Sequence, residues 1–274
     1  HPGPVPAFGL SDLSQLLRSD TQGTSQRSEV LFTTRPDLCA MYREVPRAVA
    51  HGTAGSTAYE VANGTTVWEF IRSRPVWGGH FNAFMSSMTA SDASLVTTWG
   101  GWSEMPPGTT VVDVGGNVGA LAGALKRSHP DLEVINFDHE ATIARAPMVP
   151  GVAHVAGDFF LPGSVPKCDV AIMKHVLHDW SDEECARILA NVAGSLPPGG
   201  RLLILDSVMP PAGERAPGRA VEFARSLSMR LFFGAKERTF AEFALLVGPC
   251  GFTMPPAPAG QVDLGIQLLE CVLG

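Results

Sequence analysis

Beyond Gly108 the sequence alternates short β-rich runs with helix-forming stretches, and this alternation constrains the fold more than any other feature. Thr110 to Val114 is the first such run and ends in glycines; Leu121 to Lys126 follows with helix formers. Further strands are predicted at Glu133 to Phe137, Val152 to Val155, Asp169 to Met173 and Arg201 to Leu205. Ser181, with Glu184 three residues on, forms a capping box that starts a helix, and the helix stops near Gly194 before Pro197-Pro198-Gly199-Gly200. Two helices, Val221 to Phe232 and Phe240 to Val247, precede a last strand at Gln267 to Val272. Such alternation implies an α/β fold, a mostly parallel sheet with helices on both faces. Ligands in these sheets sit beyond the carboxyl ends of the strands.

The chain divides near Met105-Pro106-Pro107-Gly108. Residues 1–105 are expected to form a smaller helical region, and residues 106–274 the ligand-binding domain. The earlier part shows helical periodicity at Leu10 to Leu17, Thr66 to Ile71 and His80 to Met88, with a loop at Ser73-Arg74-Pro75. His1 to Phe8 is Pro-rich and lacks the charged and apolar regions of a signal peptide. No apolar run approaches the roughly 18 residues of a membrane helix. The net charge of −7 gives nucleic acid no electrostatic footprint. Cys39, Cys168, Cys185, Cys250 and Cys271 are scattered and odd in number, which points to buried free thiols in a cytoplasmic chain. The histidines show no H-x-x-x-H or H-E-x-x-H spacing, so no metal is expected.

Three strand ends carry ligand-type chemistry. After the first strand, Asp113-Val114-Gly115-Gly116-Asn117-Val118-Gly119 fails the dinucleotide pattern G-x-G-x-x-G. It fits the D-x-G-x-G-x-G pattern of S-adenosylmethionine (SAM) proteins, with Asn117 in the middle slot. A tight strand–helix turn without ligand would read the same. After the second strand, Asp138 can accept both hydroxyls of a ribose, or cap the next helix. After the third, Asp158-Phe159 offers an acceptor beside a stacking ring, as an adenine requires, or a turn with a core Phe. The three together, in order, are stronger than any one.

After the fourth strand comes Lys174-His175-Val176-Leu177-His178-Asp179-Trp180-Ser181-Asp182-Glu183. This run closely resembles that of the SAM-dependent small-molecule O-methyltransferases, the plant caffeate and flavonoid type with its bacterial and fungal relatives. Asp113 to Gly119, Asn136-Phe137-Asp138, Gly157 to Phe160, Leu196 to Gly200 and Gly234 to Thr239 extend the resemblance. It reaches back to Tyr59 to Gly64 and Phe81 to Met85, and covers about 220 residues.

The resemblance implies a Rossmann-like class I methyltransferase fold and methyl transfer from SAM, leaving S-adenosyl-L-homocysteine, to a hydroxyl of an aromatic or phenolic small molecule. His178 inherits the role of general base. Asp206 and Glu237 inherit that of its acidic partners, although Asp206 stands where Glu is common and is one methylene shorter. A strand-end turn for Asp206 and a solvated charge for Glu237 are the plain alternatives. Cofactor roles carry over to Gly115, Asp138, Asp158, Phe159 and Lys174. Phe81, Met85, Met88, Met229 and Phe233 fall where the family builds its substrate wall, and helix-packing core would explain them equally. His175 is not a motif position and reads as a structural histidine. No metal is implied.

Family members carry a longer N-terminal helical domain that makes an intertwined homodimer. Here about 55 residues precede Tyr59, so much of that domain is expected to be missing, and the homodimer with it is less firmly implied. Two other readings stay open: a SAM-binding enzyme on the same scaffold that does not methylate, such as a hydroxylase or pericyclase, and an inactive truncated paralogue.

Overall fold

A computed structural model describes residues 9–18, 25–52, 55–211, 213, 220–256 and 265–274. The Pro-rich start, residues 1–8, lies outside the described residues. The sheet contains β1 (Thr110–Val114), β2 (Glu133–Asp138), β3 (Val152–Ala156), β4 (Val170–Lys174), β5 (Arg201–Met209), β6 (Arg238–Thr239), β7 (Phe252–Thr253) and β8 (Gly265–Leu273). Their order is β3-β2-β1-β4-β5-β8-β7, with β6 paired to the far end of β5. β1 to β6 run parallel, whereas β8 is antiparallel to β5 and to β7. The chain leaves β1 in one direction for β2 and β3, then returns to the other side of β1 for β4. The crevice between the ends of β1 and β4 is therefore the switch point where a ligand fits.

The central strands are apolar at nearly every position because both faces are covered. Successive residues feed opposite cores: Val112, Met173 and Ile204 point into one, and Val111, Ile172 and Leu203 into the other. All six are fully buried. Helices Ala120–Ser128 and Asp182–Ala193 supply the covering faces, through Leu121 and Leu125 on one side and Ile188 and Leu189 on the other. The Ser181–Glu184 capping box forms in both directions.

A third core lies among the helices before the sheet, where Phe32, Leu38, Met41, Tyr59, Phe70 and Ile71 pack together. Leu231, from helix Ala220–Phe233, is buried in the same cluster. The expected loop at Ser73-Arg74-Pro75 is not one: helix Val67–Ser73 is followed after Arg74 alone by helix Pro75–Thr97. Proline at the first helical position costs no hydrogen bond, so Pro75 starts a helix. That helix is 23 residues long, where the periodicity suggested only His80 to Met88. Its end, Val96, is buried in the sheet's second core. Among the described residues no helix is long and apolar enough to cross a membrane. Cys168, Cys185 and Cys271 are buried free thiols; Cys250 is half-buried, and Cys39 is exposed against expectation.

The two-residue strand β6 has an effect out of proportion to its length. By pairing Arg238 with Val208 it brings the Glu237–Arg238 step against β5. The Arg238 side chain is 1% exposed. Its Nη1 donates to the Leu177 carbonyl at 2.6 Å and its Nη2 to the Trp180 carbonyl at 2.9 Å. Nε and Nη2 also donate to Oδ1 of Asp182, at 3.0 and 2.7 Å. One guanidinium thus clamps the short 3-10 turn Leu177–Asp179 that follows β4. Replacing it strands buried carbonyls. Arg238→Met is expected to lower stability by about 3 kcal/mol in denaturant titrations. Arg238→Lys should recover little of it, because an ammonium cannot span the fork. A wild-type midpoint for either variant would show that the clamp is dispensable.

Candidate active site

The turn after β1 takes three left-handed residues, Gly115 (φ 75°), Asn117 (φ 54°) and Gly119 (φ 85°). Asn117 is one of the few side-chain-bearing residue types that tolerate this, and its Oδ1 accepts the Val118 N–H at 2.6 Å. A Cβ on Gly115 would come within 2.8 Å of Val176 and 3.9 Å of the Phe159 ring, so these three groups share one wall. Asp138 ends β2 and closes onto the turn: Oδ2 accepts the Asn117 N–H at 2.8 Å and Oδ1 the His139 N–H at 2.7 Å. Burial holds its carboxyl above the usual range despite those bonds. Asp158 Oδ1 accepts the Phe160 N–H at 2.9 Å, which sets the Phe159-Phe160 turn. Phe159 meets Trp180 edge-on at 5.8 Å. Lys174, at the end of β4, lies near Asp92, Asp113 and Asp206, and burial lowers its pKa against their pull. Burial raises Asp113 to about 7, and its Oδ2 has no hydrogen-bond partner.

This set fits SAM. Carboxylates at the ends of β1 and β2 can meet an amine and a diol, Lys174 a carboxylate, and Phe159 a purine face. The orphaned Asp113 oxygen is a buried acceptor still in need of a donor.

The titratable cluster sits next to this cradle. His178 lies in the turn held by Arg238 and is 8% exposed. Its Nδ1 is 3.0 Å from Oε1 of Glu237, which is 3% exposed. A carboxylate accepts, so Nδ1 carries a proton, and in the neutral ring Nε2 is the nitrogen that can take one. Asp206 Oδ1 stands 3.5 Å from the same Nδ1, too far for a hydrogen bond, and Asp179 Oδ1 stands 3.5 Å from Nε2. Burial alone would push the imidazole down, but Asp206, Glu237 and Asp179 outweigh it and raise His178 to about 10. Asp179 is raised to about 7, by burial first, against the pull of His178. Asp206 therefore acts on His178 through charge, while Glu237 makes the hydrogen bond.

Two residues of this cluster carried no functional signal in the sequence. His175 has φ 53° and a buried ring, stacked at 18° and 5.2 Å from the His178 ring. Its Nε2 is 3.2 Å from Oδ2 of Asp92, on helix Pro75–Thr97. Burial opposes the Asp92 charge, but His175, Lys174 and Ser91 outweigh it and hold the carboxyl below its usual value. Eighty-three residues separate the pair, and no local pattern marks Asp92.

The five wall candidates divide. Phe81 and Phe233 both touch Trp68, at 5.8 and 5.0 Å, and Trp68 stacks on Trp180 at 6.1 Å. They thereby join the His178 turn through Trp68, which no sequence motif marked, and Trp180 of the H-D-W run. Met88 lines a cavity of about 590 Å³ together with Phe84, Asp92, Arg225 and Ile266. Met85 and Met229 are half-buried and do not line it.

Comparison with known proteins gives the same direction. The family model described as the O-methyltransferase domain matches residues 42–253. Desmethylxanthohumol 6'-O-methyltransferase of Humulus lupulus is 33% identical over 91% of this chain and 69% of its own length. Caffeic acid 3-O-methyltransferase 1 of Ocimum basilicum is 32% identical over 89% of this chain and 66% of its own. The chain thus spans about two thirds of the length of these relatives. Among solved structures, mitomycin 7-O-methyltransferase superposes with TM-score 0.82 at 25% identity, covering 97% of this chain and 77% of that one. An O-methyltransferase from neocarzinostatin biosynthesis, solved with S-adenosyl-L-homocysteine and 1,4-dihydroxy-2-naphthoic acid, gives 0.77 at 26%, covering 97% and 78%. Sheet order, strand-end cradle and sequence agree, and the chain belongs to the SAM-dependent O-methyltransferase family, on the Rossmann-like class I fold.

Proposed function

We propose that this chain methylates a hydroxyl of an aromatic or phenolic small molecule, with His178 Nε2 as the general base. The observation that carries the reading is the buried His178–Glu237 bond, which leaves Nε2 as the proton acceptor beside the cradle. Gly115, Asp138, Asp158, Phe159 and Lys174 hold SAM, and Phe81, Met85, Met88, Met229 and Phe233 contribute to the substrate wall. Asp206 and Glu237 stabilise the imidazolium. SAM supplies a methyl on a sulfonium whose positive charge also favours the neutral imidazole. A phenol ionises near pH ~10, so a base raised to about 10 accepts its proton with little free-energy change. Residues 1–105 serve as the helical cover and 106–274 as the catalytic domain. The reading places the enzyme in the cytoplasm as a homodimer.

The test is a panel of catechols, flavonoids and polycyclic phenols with SAM, read by mass spectrometry. His178→Ala is expected to lower the rate at least ~100-fold. Product formation at an unchanged rate would remove His178 from the mechanism.

The pH profile adds a second test. His178 must lose its proton to act, and three carboxylates hold that proton on. kcat/KM should therefore climb through the alkaline range. Glu237→Gln removes one negative charge, lowers the imidazole pKa towards its ordinary value near ~6.5, and moves the rise to lower pH. Ionisation of the free phenol alone would leave the two profiles superimposed, which would contradict the base assignment.

A further inference from the structure

Around Asp206 the site holds more buried lone pairs than protons. Asp92 can only accept from His175 Nε2, so that nitrogen carries the proton and Nδ1 keeps its lone pair. His175 Nδ1 has no hydrogen-bond partner and faces Oδ1 of Asp206 at 3.5 Å. Neither oxygen of Asp206 has a hydrogen-bond partner, and neither does Oε2 of Glu237. His178 Nδ1 lies 3.5 Å from the same Asp206 oxygen. The side chains are 4% exposed for His175, 10% for His178, and 0% for Asp206 and Glu237. Buried acceptors that face one another cost free energy unless a cation lies between them.

We propose that His175, His178 and Asp206 form a site for a divalent transition-metal ion of the zinc type, and that its occupation switches the transferase off. The ligand atoms of the three lie within 4.8 Å of one another. Donors ~2.1 Å from a tetrahedral ion stand about 3.4 Å apart, close to both imidazole–carboxylate separations. Two imidazoles with a carboxylate suit zinc, cobalt or iron rather than magnesium or calcium. Asp92 is the outer carboxylate that fixes the tautomer of a metal-bound histidine. It also lies in the wall of the 590 Å³ cavity, which gives the ion a way in. Histidine spacing along the chain gave no hint of this, because Asp206 arrives from a different strand.

The switch rests on His178 being the base. An imidazole bound to metal through Nδ1 stays neutral only with its single proton on Nε2, the atom that has to be bare to accept from the substrate; the proton that Nδ1 shared with Glu237 moves there. Binding and catalysis thus compete for one imidazole.

The test uses the whole chain, stripped of metal with a chelator and titrated with Co²⁺ for ligand-field absorption and with Zn²⁺ by calorimetry, both without substrate. One equivalent with a tetrahedral Co²⁺ spectrum is expected. Asp92→Asn should weaken Zn²⁺ binding about 10–100-fold. His175→Asn should abolish the spectrum; asparagine tolerates the φ of 53° at this position, and circular dichroism checks the fold. With a methyl acceptor present, Zn²⁺ should inhibit the wild type, while His175→Asn should turn over and resist Zn²⁺. No cobalt spectrum, or one that survives His175→Asn, overturns the site whatever the enzyme's activity. A bound metal that leaves methyl transfer intact overturns the switch and counts against Nε2 as the base.

Discussion

The guanidinium of Arg238 is the contact on which the rest of the site depends. Arg238 is buried, comes from a strand of two residues, and binds carbonyls of the turn that carries His178 and the first acidic residue of the next helix. Its neighbour Glu237 reaches the imidazole from the position just before that strand. One short pairing to β5 therefore sets both the position of the base and the position of its partner. A turn of three residues has little structure of its own, and a planar fork that satisfies two carbonyls holds it at small entropic cost.

The site concentrates negative charge where a protein interior usually avoids it. Asp113, Asp206 and Glu237 are nearly inaccessible, and Lys174, His175, His178 and Arg238 stand nearby. Unpartnered oxygens remain on all three carboxylates. Such an arrangement destabilises the free protein and is tolerated where function requires it. A surplus of buried acceptors suits a ligand that brings positive charge, and a sulfonium with an ammonium group does so. The same surplus explains why His178 holds its proton so firmly in the free site.

The strands that run through the middle of the sheet were legible because burial on both faces makes their sequences continuously apolar. β6 and β7 were not, since two residues carry no period, and β8 was placed but its antiparallel direction was not. Helix Pro75–Thr97 was underestimated because proline signals a break and a helix start alike. In the site, His178 and Glu237 could be named through resemblance in the H-D-W and K-E-R runs. His175 could not, because its place depends on a left-handed backbone that the sequence does not announce. Asp92 could not either, because a long helix from the other layer delivers it.

That last point alters the role of the helical layer. Helix Pro75–Thr97 places Met88 in the cavity wall, Asp92 against His175 and Val96 in the core beneath the sheet. His175 in turn shares Asp206 with His178. The helices before the sheet are thus tied to the charge around the base as well as to the shape of the pocket. A change that tilts this helix would move Asp92 and the wall together. The substrate wall and the carboxylate that orients His175 are thus carried by one helix, and a rigid movement of it displaces both.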